Sequence, residues 1–217
     1  MDYKEISIYV FDCNSCPTRC DGKSKEVYDF EKDVAFSEAI ENEIIYNVNH
    51  LYPNLFAFKT KKNGYPDIEI ISKTSINRPI AFVEIKVQSR TFMSVEKLLP
   101  NSKLKPSETV ALNLSDLERY FKVYENEKIP TFIVWCLKNR PCINTNNADL
   151  YFHQNITELQ KIRQCDVLNY RKFKRASGVG DVVDGIHKGV LVNYHFSINE
   201  LIFGIPNLNE YTNEQYI

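Results

Sequence analysis

The sequence predicts an α/β protein, and three observations carry that expectation. Residues 33–51 show an apolar stripe at helical spacing. Residues 65–71 and 80–87 are two short β-patterned runs with a turn-like segment, 72–79, between them. A strongly apolar run at 129–137 follows a second helical stripe.

Taken in order, Ile6, Ile8 and Val10 alternate within residues 3–11 and predict a short strand, and residues 12–25 form a polar, cysteine-rich knuckle. In the first helix Asp33 is the expected N-cap, and Phe36, Ile40, Ile44, Val48 and Leu51 form its buried stripe. Pro53 and Asn54 close it, and residues 55–58 read as a strand ahead of the hairpin. Residues 89–110 read as irregular, broken by Pro100 and Pro106. Ser115 with Glu118 reads as a capping box opening a second helix, whose apolar face is Leu117, Tyr120, Phe121 and Tyr124. The run at 129–137 is expected to be a buried strand. Residues 144–149 read as a polar loop, and 156–167 as a helix burying Leu159, Ile162 and Val167. Residues 177–181 read as a turn, and 189–198 have strand character. The organisation expected is an N-terminal unit at 1–32 and a core with a C-terminal elaboration at 33–217.

Composition sets limits. With 217 residues, 43% of them hydrophobic, the chain can bury a substantial core, and its few Gly and Pro exclude collagenous or disordered classes. No run of eighteen apolar residues exists, and the first residues lack a signal-peptide pattern, so a cytoplasmic protein without a membrane span is expected. Six cysteines in a reducing compartment point to free or metal-bound thiols rather than disulfides. A net charge of −1 requires any nucleic-acid contact to rest on local basic clusters. Two exist, one with Lys61 and Lys62, the other with Arg171, Lys172, Lys174 and Arg175.

The chemistry concentrates in the hairpin. Glu84 and Lys86 share one face of their strand, and Asp67 comes to them from the preceding strand. Two carboxylates and an ammonium make a site for a hard divalent cation such as Mg²⁺, which takes one or two carboxylates and fills its shell with water and substrate phosphate. Pro66-Asp67 followed by Glu84-Ile85-Lys86 resembles the PD-(D/E)xK nuclease superfamily, which includes restriction endonucleases and Holliday-junction resolvases. The resemblance covers roughly residues 33–137. It implies a restriction-endonuclease-like mixed central β-sheet flanked by helices, in the order helix, three strands, helix, strand.

It also implies a Mg²⁺-dependent endonuclease, with Mn²⁺ as a substitute. Asp67, Glu84 and the Ile85 carbonyl would hold the metal, and Lys86 would orient the attacking water or stabilise the transition state. Members often add a glutamate from the first helix. Glu38, Glu41 and Glu43 are available, and Glu41 falls roughly 70° from the centre of the apolar stripe against roughly 130° for Glu38. Gln88 continues the Glu84–Lys86 face, where similar nucleases often carry Gln or Lys, and Glu69 is in phase with Asp67.

Cys13, Cys16 and Cys20 place three thiols in one short segment, a pattern suited to a structural Zn²⁺. Cys142 is the preferred fourth ligand, with Cys165 and the four histidines as alternatives, while Cys136 falls in the apolar run and reads as core. Reading first as a restriction or defence-type deoxyribonuclease acting as a homodimer on DNA, the sequence also admits a resolvase, repair nuclease or RNase of the same chemistry. A third reading is a zinc-knuckle nucleic-acid-binding module with an inert hairpin. Base-reading residues are expected within 89–107 and 170–187.

Overall fold

The computed structural model describes residues 30–88, 91–138, 143, 149–174, 182–183, 186–187 and 192–211. The expected strand at 3–11, the cysteine knuckle, Cys142, Arg175 and the turn at 177–181 lie outside the described residues. Among those described, no helix is long and apolar enough to cross a membrane.

The first helix, α1 (Phe30–Leu51), buries Ile40, Ile44 and Val48 one turn apart, with Phe36 half-buried beside them. It starts ahead of the expected N-cap, so Asp33 stands inside its first turn and does not precede it. Leu51, expected to be buried, is 64% exposed, and the packing stripe passes instead to Tyr52.

The strands that follow are β1 (Leu55–Lys59), β2 (Ile68–Ser72) and β3 (Ser75–Gln88). After the short helix α2 (Val95–Leu98) come β4 (Thr109–Asn113), the helix α3 (Leu114–Glu127) and β5 (Thr131–Leu137). The remainder comprises β6 (Leu150–Asn155), α4 (Ile156–Cys165), β7 (Lys172–Lys174), the small hairpin β8 (Val182–Val183) and β9 (Ile186–His187), β10 (Val192–Ser197) and β11 (Ile202–Phe203).

Six strands form the central sheet in the order β1-β2-β3-β5-β6-β11. Every neighbouring pair is antiparallel except β3 and β5, which run parallel, so the sheet is mixed. A parallel pair needs a crossover, and the segment carrying α2, β4 and α3 supplies it. Each residue of β5 is buried, as a strand paired on both edges and covered on both faces requires.

The segment at 72–79, expected to be a turn, is mostly strand. Ile70 pairs with Ala81, but Ile71 pairs with Pro79 and Ser72 with Ser75. Pro79 has no N–H to give the ladder, and the register shift around it is a bulge that lets the strand continue past it. At the outer edge, Asn49 of α1 grips β1. Its amide donates to the Ala57 carbonyl at 3.0 Å and its Oδ1 accepts the Ala57 N–H at 2.7 Å, closing part of an otherwise open edge.

One face of the sheet packs Ala57, Ile70, Ala81, Val83, Ile85 and Val134 against α1. The other packs Ile133, Trp135 and Leu137 against α3, α4 and a second antiparallel sheet, β4-β10-β7. The Trp135 indole donates to the Ala111 carbonyl at 3.1 Å and ties the two sheets together. The period of two along β3 therefore sends Ala81, Val83 and Ile85 toward α1, and Phe82, Glu84 and Lys86 toward α3.

Three further expectations are corrected. β4 lies at the end of the segment read as irregular. The N-cap of α3 is Asn113, one residue before the helix, so Ser115 is within its first turn and forms no capping box. Val167 is 78% exposed because α4 ends at Cys165.

Candidate active site

β2 pairs with β3 only as far as Ile68 opposite Val83, while β3 runs on to Gln88 beside β5. A notch opens where β2 has ended and β3 has not. The Phe82 N–H and the Gln88 carbonyl both bond toward the β5 side, so alternation turns the Ile85 amide and carbonyl into the notch. Pro66-Asp67 leads into β2 there, and the Asp67 carboxylate accepts the Ile85 N–H at 2.9 Å. In return the Asp67 N–H donates to Glu84 Oε2 at 3.2 Å. The two carboxylates are thus brought together where β2 begins, each bonded to a backbone N–H of the other's strand segment.

Glu84 is almost wholly buried, yet its side chain is satisfied: Lys86 Nζ lies 2.5 Å from Oε1, and the Tyr120 hydroxyl from α3 also donates to it. Lys86 further lies 3.8 Å from Asp116 Oδ2, and Asp116 Oδ1 pairs with Arg119 at 2.9 Å. Burial, then the Glu84 charge, push the Asp67 carboxyl up to about 7, against the Ile85 N–H and Lys86, which pull it down. Burial alone would lower Lys86, but Glu84 and Asp116 outweigh it and hold the ammonium above its ordinary value. Burial and Glu84 together push the Tyr120 hydroxyl up, so it remains a donor.

Of the residues named from sequence, the structure brings Asp67, Glu84, Ile85 and Lys86 together. Gln88 lies farther along the same face, where it and Lys86 line a cavity of about 190 Å³, and its buried Oε1 has no hydrogen-bond partner among the described residues. Glu41 stands on α1, whose core packs on the opposite face of the sheet from Glu84. It pairs with Lys59 at 3.1 Å, and its charge adds to the upward pressure on Asp67. Glu38 is more exposed, and Glu43 accepts from the Tyr151 hydroxyl at 3.5 Å.

Lys61 and Lys62 are exposed in the loop between β1 and β2, and Lys172 and Lys174 are exposed on β7. Arg171, expected in the same basic cluster, pairs its guanidinium with Glu200 at 2.6 Å, in an ion pair that is mostly covered. His195 is buried with Nδ1 at 3.0 Å from the Arg171 carbonyl, a satisfied strand residue.

Sequence reasoning missed Asp116 and Arg119 and took Tyr120 for an apolar-face residue. Their signal was available, since Asp116 and Tyr120 are four apart and so share the helix face that carries Leu117.

Two carboxylates and a carbonyl aimed into one notch are the donor chemistry of a hard divalent cation. Among the described residues no group of three His, Cys, Asp or Glu side chains forms a metal cage.

No family model matches the sequence, and no curated protein matches it. Among solved structures, the Holliday junction resolvase Hjc from Archaeoglobus fulgidus is similar at a TM-score of 0.35 and 9% identity, covering 56% of this chain and 78% of that one. At that level of likeness the functional reading rests on the geometry above.

Proposed function

We propose that this chain is a Mg²⁺-dependent nuclease that hydrolyses phosphodiester bonds in DNA, with Mn²⁺ able to substitute. The observation that carries the reading is the pair Asp67 and Glu84, fixed side by side in a notch with Lys86 against them. Asp67, Glu84 and the Ile85 carbonyl would hold the cation. When bound, it would supply a water acidic enough to ionise near neutral pH and a positive charge against the phosphate. Lys86 would place its ammonium toward the attacking water or the developing phosphate charge, as a donor in a partly dry site. Tyr120 keeps Glu84 oriented, and the Ile85 amide keeps Asp67 oriented. Lys61 and Lys62, exposed on the loop leading into Asp67, would contact the DNA backbone. We further propose a restriction or defence-type enzyme that cuts both strands as a homodimer, and a structural zinc at Cys13, Cys16, Cys20 and Cys142.

The test is cleavage of supercoiled and linear DNA with Mg²⁺, Mn²⁺ or EDTA, by wild type and by Lys86→Ala. Metal-dependent cutting that vanishes in the variant supports the reading, and discrete fragments support sequence specificity. Intact DNA under every metal condition, with binding retained, refutes it in favour of a binding module.

A further inference from the structure

Both oxygens of Glu84 are already occupied by the protein itself: Lys86 holds Oε1 at 2.5 Å and the Asp67 N–H holds Oε2 at 3.2 Å. A divalent cation drawing on Glu84 would face the Lys86 ammonium at contact distance, and like charges in so buried a place repel strongly. The ammonium therefore needs another anion within reach. Asp116 offers one on the first turn of α3, with Oδ2 at 3.8 Å from Lys86 Nζ. Its other oxygen is anchored by Arg119 at 2.9 Å, and the Asn113 amide lies 3.5 Å from Oδ2. Closing the Lys86–Asp116 gap to a charge-assisted hydrogen bond takes about 1 Å of ammonium movement. The cavity bounded by Lys86, Gln88 and Asn113 leaves the side chain room to make it.

We infer that Asp116 is a positioning residue that receives the Lys86 ammonium when Glu84 engages a divalent cation. This rests on the nuclease reading and deepens it. One lysine alternates between two carboxylates, blocking the cation position when paired with Glu84 and clearing it when paired with Asp116. The competing role for Asp116 is a helix-end carboxylate, favoured at any first turn.

Mn²⁺ binding to the full chain by calorimetry separates the two in a double-mutant cycle of Asp116→Asn and Lys86→Met. Asp116→Asn is expected to weaken Mn²⁺ binding on the order of tenfold, because Lys86 then stays on Glu84. In the Lys86→Met background the same change is expected to alter affinity by less than about twofold. Asp116→Glu should restore most of the loss. Asp116→Ser repeats the cycle with a residue suited to a helix start, and thermal melts show that each variant is folded. Unchanged affinity in folded Asp116→Asn, or an equal loss with and without Lys86, overturns the inference while leaving the nuclease reading in place. Failure of wild type to bind Mn²⁺ overturns both.

Discussion

Replacing Asp67 by Asn should stabilise the metal-free protein, and more so as pH rises. Asparagine keeps an oxygen for the Ile85 N–H but cannot ionise beside Glu84. In the folded chain the Asp67 carboxyl titrates at about 7 against an ordinary 3.8, so between those values the folded state holds a proton that the unfolded state has lost. Stability contributed by the protonated carboxyl is therefore lost as pH rises through that window and levels off above it. The shift corresponds to a penalty of about 4 kcal/mol at pH 8.5 but only about 1.6 kcal/mol at pH 5. The gain from Asp67→Asn should thus grow by about 2–3 kcal/mol between those pH values, or about 5–10 °C in Tm for a chain of this size. Effects of the substitution that do not depend on pH cancel in that comparison. Thermal melts of both proteins in EDTA at pH 5 and 8.5 measure it. A gap that stays constant or shrinks toward high pH refutes the strained carboxylate pair. Mg²⁺ at pH 8.5 should narrow the gap by stabilising wild type alone.

Other outcomes follow from the same contacts. Tyr120→Phe removes a donor from the buried Glu84 and should cost about 1–3 kcal/mol in chemical denaturation. Leu117→Ala, at a fully buried position of α3, should cost about 2–5 kcal/mol by the same measurement. Reversing Lys61 and Lys62 to Glu should weaken DNA binding and flatten its salt dependence by about one to two units of slope, read by fluorescence anisotropy at several salt concentrations. Arg171→Gln should leave that binding unchanged and instead lower stability by about 1–2 kcal/mol, because it breaks the pair with Glu200.

Much of the frame could be read from local pattern. The helical stripe of Ile40, Ile44 and Val48, the alternation through Phe82, Glu84 and Lys86, and the apolar run of β5 each state their element without tertiary help. β4 and β6 were missed for a physical reason. β4 lies among the breaks that make its segment read as irregular, and β6 mixes polar residues such as His153 and Gln154 that the fold satisfies with distant carbonyls, His153 bonding Gly204 and Gln154 bonding Glu200. The extra length of β3 was hidden by Pro79, whose missing N–H matters only if no bulge absorbs it. At the site, Asp67, Glu84 and Lys86 could be named because Glu84 and Lys86 are two apart on β3 and Asp67 immediately precedes β2, the strand paired to it. The approach of Asp116 and Tyr120 from α3 depends on a crossover that no local pattern encodes. The pairing of Arg171 with Glu200 was not legible, because a charge beside other charges looks solvated until a partner distant in sequence folds against it.

The bulge at Pro79 divides the β2–β3 hairpin into two regions that answer to different constraints. Below it, the pairing of Ile68 with Val83 sets Asp67 opposite Glu84, and a slip of one residue would turn Asp67 to the wrong side of the sheet. Above it, Lys73 and Thr74 sit exposed at a tip whose spacing has already broken step with the ladder. The tip is held by its own local contacts, Lys73 to the Pro53 and Asn54 carbonyls and Thr74 to the Ser72 hydroxyl, so the register that matters for the carboxylates is fixed below the bulge and not by the turn.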